Sequence, residues 1–325
     1  TKNIKIEKIF APEHGFRGDA SAGEEIKDGA DSKTGIQVFS LYGQTKKPTG
    51  EQLKNLDVMI FDIQDVGCRF YTYISTLHLV IEACAENNLP LIVLDRPNPN
   101  GDYIAGTVLK PGFESFVGMD PIPVVYGCTV GELANMINGE KWIKTGKSCD
   151  LQVIPVQNYT HSTKYELPVS PSPNLPNYLS VRLYPSLCFF EATSVSVGRG
   201  TDFPFQVLGG LNKVLGEFQF TPLNIPGVAV KPLNEGKVCY GVDLRSLKEV
   251  PKFTLKYFID FYIKYENKAE FLTRENWFNT LAGNDELLAQ IRAGKCESEI
   301  FEMIKPDLEK YKLMRKKYLL YPDFE

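Results

Sequence analysis

Short, continuous apolar runs alternate with stretches of helical period through the first half of this 325-residue chain, and that alternation restricts the fold more than any other feature. Runs at residues 4–10, 36–41, 58–63, 91–94 and 151–155 read as strands, and most lack the in-and-out alternation of a sheet with one wet face. Between them, residues 72–87 put Ile74, Leu77, Ile81 and Cys84 on one stripe. A second helix opens at Thr129 with a capping box closed by Glu132, and turns Leu133, Met136 and Ile137 inward. Such a βαβ series predicts an α/β fold with a Rossmann-like, mostly parallel sheet.

The pattern changes after Val156. Three prolines between Ser170 and Pro176 exclude regular structure, and this stretch reads as a linker that also lines a cleft. Beyond it come an apolar run at 183–190, strands near 228–233 and 238–244, and a helix over 254–267 with Leu255, Phe258, Ile259 and Tyr262 on one face. A last element over 298–321 is expected to break or kink at Pro306. The division expected is a Rossmann-like domain over 1–160 and a smaller α+β domain over 161–325.

Composition removes several function classes. The longest apolar runs, 58–61 and 89–94, fall far short of the roughly 20 residues that span a bilayer, so no membrane span is expected. A net charge of −4 with scattered Lys and Arg offers no basic face to a phosphate backbone, which excludes nucleic acid as the expected partner. Seven cysteines without a C-x-x-C pair read mostly as buried, reduced packing residues. No Gly-x-Gly-x-x-Gly follows the first strand and no phosphate loop is present. His14, His78 and His161 are far apart and outside any zinc spacing, and there is no Gly-x-Ser-x-Gly elbow. Neither a metal nor a cofactor is expected.

What remains is three polar clusters, each at the end of an expected strand. Pro12, Gly15 and Gly18 turn the chain after the first strand and present Glu13, His14 and Arg17. The second cluster supplies Asp62, Gln64, Asp65, Arg69, Tyr71 and Tyr73, and the third Asp95, Arg96 and Asn98. In a parallel sheet these ends share one edge, where ligands gather. Taken singly, each acid is as readily a helix cap or one half of an ion pair with Arg69 or Arg96, and each tyrosine a core residue. Acids, amides, arginines and aromatics without metal or nucleotide motifs suit a polyhydroxylated, anionic ligand, and glycoside hydrolysis needs little more than two such acids.

The strings APEHGFRGD, SLYGQTKKPT, FDIQDVGCRFYTYIST, LDRPNPNG, PSPNLPN, FFEATSVSVGRGT and RKKYLLYP, in that order, resemble the exo-β-N-acetylmuramidase (NamZ) family of peptidoglycan glycoside hydrolases. The resemblance implies a Rossmann-like catalytic domain, an auxiliary C-terminal domain and a pocket at their interface. It also implies release of N-acetylmuramic acid (MurNAc) from the non-reducing end of peptidoglycan fragments, with small MurNAc-GlcNAc glycans and muropeptides as partners. Glu13 carries over as the leading catalytic residue, and Asp65 is preferred to Asp62 as a second acid. Holding the lactyl carboxylate of MurNAc calls for a guanidinium from Arg69, Arg96, Arg182 or Arg199, the last flanked by Gly198 and Gly200. Asn174 and Glu191 complete the expected binding set. Family chains usually begin with a further strand ending in Thr-Asn-x-Thr-Gly, which this sequence lacks, and Ser194 stands where asparagine is common. The expected location is periplasmic or exported, with cytoplasmic as the alternative. The other functional class open to the same pocket is a non-catalytic muropeptide-binding or sensing protein.

Overall fold

A computed structural model of the chain describes residues 4–17, 27–250 and 252–325, so Gly18 and Asp19 of the first cluster lie outside the described residues. Strand β1 (Lys8–Ala11) pairs in parallel with β3 (Gln37–Ser40), and the short β2 (Gly29–Ala30) runs antiparallel along β3. The first strand starts later than its apolar run suggests. Ile4 and Ile6 have no pairing partner and are 70% and 63% exposed, because apolar character alone does not supply a strand edge to dock on. After helix α1 (Gly50–Leu53), a second sheet runs β4–β5–β8, all parallel, from Met59–Phe61, Leu91–Leu94 and Leu151–Ile154.

Helices α2 (Tyr73–Asn87) and α3 (Val130–Gly139) connect these strands. Their stripes seal Leu77, Ile81, Leu133 and Met136 against Leu91 and Val93, as the periodicity predicts. The Thr129 capping box forms with Glu132 in both directions. A hairpin of β6 (Ala105–Val108) and β7 (Pro123–Val125) is inserted between β5 and α3.

The second half corrects the sequence reading at one place, the strand expected over 228–233, and fills in two others. The apolar run at 183–190 is helical: α4 (Tyr178–Leu187) continues into a 3₁₀ turn over Cys188–Ala192. Residues 228–233 form no strand; only an isolated bridge joins Ile225 to Ala229. Pro306 lies inside α9 (Glu297–Arg315) without ending it. The remaining elements are an antiparallel sheet ordered β10–β11–β9 (Phe218–Phe220, Cys239–Asp243, Val207–Gly210) and helices α5 (Lys256–Lys264), α6 (Lys268–Phe271), α7 (Glu275–Ala282) and α8 (Glu286–Arg292).

The two halves share a core. Val66, Phe70 and Tyr71 from the first pack in one buried cluster with Leu183, Phe189, Phe190, Phe258 and Phe278 from the second. After α9 the chain returns to the parallel sheet. Tyr321 Oη donates to Asp95 Oδ2 at 2.6 Å and accepts from Val156 N at 2.8 Å, which lays it across the ends of β5 and β8. Leu320 N donates to Glu132 Oε1, His161 N to Pro322 O, and the buried Arg315 guanidinium to Gly127 O and Asp323. One end of the ligand-binding edge is thereby filled by the chain itself.

Candidate active site

With β5 and β8 covered, the ends of β1 and β3 and the start of α2 hold the polar residues that face one another. Parallel pairing continues past the strands, since Leu41 N donates to Ala11 O at 2.8 Å. That bond carries Tyr42 alongside Glu13. Ser40 fixes the turn, its hydroxyl donating to Tyr42 O and accepting from Tyr42 N.

Glu13 is half-buried, and three neighbours hold it. Thr72 Oγ1 donates to Glu13 Oε2 at 2.8 Å, Tyr73 Oη donates to the Glu13 carbonyl at 3.1 Å, and Tyr42 hydrogen-bonds the side chain. Thr72 occupies the N-cap of α2 but makes no side-chain cap bond, so its hydroxyl is spent on Glu13 instead of on the helix. The carboxylate thus lies at the positive end of a 15-residue helix. Burial raises the Tyr42 and Tyr73 hydroxyls, the latter to about 12, and the Glu13 charge adds to both. They stay protonated and act as donors.

His14 is buried and takes φ +72°, and Phe205, also buried, takes φ +55°. Among the described residues these are the two buried non-glycine side chains in the left-handed region, where a Cβ is strained. Strain of this kind gathers at functional sites. A run of aromatic contacts leads from Tyr73, which bonds the Glu13 carbonyl, to Phe205: Tyr73 meets Tyr71 edge-on at 4.9 Å, Tyr71 meets Tyr184 at 6.2 Å, and Tyr184 meets Phe205 at 5.0 Å. Tyr71 Oη donates to Pro171 O, which pins the proline-rich stretch to this wall.

At the far end of that wall the Arg199 guanidinium lies 5.0 Å from the centre of the Phe205 ring. Its Nε and Nη2 both donate to Glu191 Oε1, at 3.2 and 2.7 Å. Burial opposes the charge, but the Glu191 carboxylate outweighs it and raises Arg199 above its ordinary value. Among the described residues Nη1 of Arg199 and Oε2 of Glu191 have no hydrogen-bond partner, and the two side chains are 30% and 24% exposed. The flanking glycines do not open space for a ligand. Gly198 and Gly200 take φ +83° and +82° and pack against Val207 and Pro232, turning the loop tightly enough to set Arg199 on Phe205.

Asp65 stands behind the tyrosines. Oδ2 accepts from Gly67 N at 2.6 Å and from Tyr126 Oη at 2.5 Å, while Oδ1 is buried without a partner. Burial raises its carboxyl to about 7, against the pull of the Tyr126 hydroxyl and of the Gly67 and Val66 amides. Its charge and that of Glu13 both bear on the hydroxyls of Tyr71 and Tyr73.

Other residues expected at the site have partners within the protein. Arg69 is fully buried, and its guanidinium donates to the carbonyls of Thr107, Ile122 and Leu281; desolvation lowers it to about 10, and it has no open face for a carboxylate. Asp95 accepts from Arg96 N, Gly131 N, Thr129 Oγ1 and Tyr321 Oη, which exhausts it as a cap for α3 under the C-terminal strap. Arg96 and Asp62 form an exposed pair at 2.6 Å. Gln64 braces the Asp65 and Pro97 carbonyls, and Asn98 holds Cys128 O and Asn100 N. Arg182 is taken by Asp102 and Pro99 O, and Arg17 by Asp31 in a bidentate pair. Asn174 donates to Val228 O, with Oδ1 buried and unpartnered. Ser194 Oγ donates to Tyr265 Oη, away from Arg199.

Among the described residues no group of three or more His, Cys, Asp or Glu side chains is arranged to hold a metal ion, and no helix is long and apolar enough to cross a membrane. A carboxylate held by hydroxyls at one end of a tyrosine wall, with an arginine at the other, on a Rossmann-like frame, makes an α/β protein whose site suits a polyhydroxylated, anionic ligand. Residues 1–179 and 182–321 match the N-terminal and C-terminal parts of the family described as exo-beta-N-acetylmuramidase NamZ, and the chain belongs to that family. It is 40% identical, over 98% of its length and 80% of the relative's, to the peptidoglycan beta-N-acetylmuramidase NamZ of Bacillus subtilis (strain 168). Crystal structures of two DUF1343 family proteins from Bacteroides fragilis NCTC 9343 share the fold. One has a TM-score of 0.91 at 45% identity, covering 99% of this chain and 88% of the other; the second has 0.84 at 30%, covering 98% and 87%.

Proposed function

We propose that this chain is an exo-acting, hexosaminidase-type glycoside hydrolase that releases MurNAc from the non-reducing end of peptidoglycan fragments. The observation that carries the reading is the placement of Glu13, clamped by Thr72 and Tyr42 at one end of an aromatic wall whose other end presents Arg199. Glu13 acts on the glycosidic oxygen as general acid or acid/base. Arg199 takes the lactyl carboxylate through Nη1, the part of its fork that Glu191 leaves open. Asp65 is the second acid, held near neutrality with one unpartnered oxygen. His14 and Asn174 shape the pocket from the strained turn and the proline-rich stretch. Since the polymer lies outside the cytoplasmic membrane, the reading carries with it a periplasmic or exported protein engaged in cell-wall recycling.

Incubation with the disaccharide MurNAc-GlcNAc tests this. Free MurNAc should accumulate with wild-type protein and not with Glu13→Gln. Saturable binding of the disaccharide without any product would overturn catalysis and leave a muropeptide sensor.

A further inference from the structure

We propose that Tyr42, Phe116 and Lys46 form a leaving-group subsite that reads a carboxylate on the sugar chain beyond the bond being cut; this rests on the glycosidase reading above. A general acid sits against the leaving oxygen, so a part-exposed side chain bonded to Glu13 is placed to border the departing sugar. Tyr42 is that side chain, bonded to Glu13 and half-buried. Its ring meets Phe116 at 6.3 Å with a 52° tilt, and Lys46 Nζ stands 4.3 Å from the centre of the Phe116 ring.

The adjacent lysines divide the work. Lys47 is neutralised by Glu82 and Glu86, at 2.9 and 2.8 Å. Lys46 has no described carboxylate within ion-pair reach; an aromatic face holds it in place without cancelling its charge. A half-buried ammonium steadied this way suits an anion. Glycans that alternate MurNAc and GlcNAc carry a lactyl carboxylate on every second sugar. With one MurNAc seated between Glu13 and Arg199, the next carboxylate belongs to the leaving portion and lies on the Tyr42 side. In muropeptides that position carries a peptide stem, whose acidic groups offer the same chemistry.

The test compares kcat/KM for the tetrasaccharide MurNAc-GlcNAc-MurNAc-GlcNAc with that for MurNAc-GlcNAc. Wild-type protein should favour the tetrasaccharide. Lys46→Ala should reduce that preference about tenfold, the scale of one charged hydrogen bond, whereas Lys46→Arg should keep it. Reducing the inner lactyl carboxylate to the alcohol should do to wild-type protein what Lys46→Ala does. A third substrate, with that lactyl group capped by L-Ala-D-Glu, separates the sources: a retained preference assigns the charge to the stem, a lost one to the lactyl group. An unchanged ratio in Lys46→Ala, with disaccharide turnover intact, overturns this inference alone. Absence of free MurNAc from every substrate overturns the glycosidase reading and this subsite with it.

Discussion

Thr72 Oγ1 donates to Glu13 Oε2 at 2.8 Å and ties the N-cap of α2 to the carboxylate at the end of β1. The bond fixes one oxygen of the acid, and Tyr42 also bonds its side chain. Glu13→Gln should lower kcat about 10² fold or more with the fold intact, because the amide is nearly isosteric but exchanges no proton. Thr72→Ala should lower kcat about fivefold with little change in KM, the scale of one neutral hydrogen bond. Disaccharide turnover and a thermal melt on each variant check both; a Glu13→Gln protein turning over at the wild-type rate would refute the assignment.

Arg199→Ala should erode the preference for MurNAc over GlcNAc glycosides by about 1.5 to 3 kcal/mol, or roughly ten- to a hundredfold in the ratio of kcat/KM values. Loss of the guanidinium also strands Glu191, so the informative companion is Arg199→Ala/Glu191→Gln. It should show the same loss of preference with less loss of stability.

Arg69→Ala should act on stability instead. Three carbonyls lose a fully buried donor, a cost of about 3 kcal/mol or more. Urea denaturation should show a lower midpoint, while the folded fraction keeps the wild-type MurNAc preference. A changed preference at wild-type stability would return Arg69 to the binding site.

Asp65 predicts a pH dependence with a definite sign. Its folded carboxyl titrates near 7 and its unfolded one near 3.8, so between those values the unfolded chain releases a proton that the folded chain keeps. Stability from this group is complete below about 3.8 and is lost as pH rises through about 7. Asp65→Asn should flatten that part of the Tm profile. If Asp65 must also carry its proton in the reaction, kcat should fall above about pH 7 in wild-type protein, and that limb should be missing from whatever activity Asp65→Asn retains. NMR of the first-formed anomer then separates a retaining from an inverting reaction.

The strand and helix pattern of the first half was legible because its elements are buried on a regular period, as Leu77, Ile81, Leu91 and Val93 show. The place of Glu13 just past a strand end was legible because its string stops a strand with polar residues. The functions of Thr72 and Tyr42 were not, because each is ordinary for its place: a threonine at an N-cap, a tyrosine after a strand. Only the pairing of β1 with β3 brings them to the acid. Arg69 and Asp95 misled for the converse reason. Strand ends attract ligands, but residues 315–323 fold back and fill part of that edge, and no local pattern announces a contact across 226 residues such as that from Tyr321 to Asp95. At Pro306, where a break or a kink was expected, the helix does not break, since one proline in a 19-residue helix removes a donor without ending it.

That returning segment also governs the order of events in folding. As the chain emerges from its N-terminus, residues 1–179 are complete well before Arg315, Leu320 and Tyr321 exist to meet Gly127, Glu132 and Asp95. Until then Asp95 and Glu132, both buried, each lack one donor that the finished protein gives them, a cost of about 1 to 3 kcal/mol apiece. A polypeptide stopped at the junction between the two family-matched segments should therefore be less stable, and more readily cleaved by proteases, than the same residues in the whole chain.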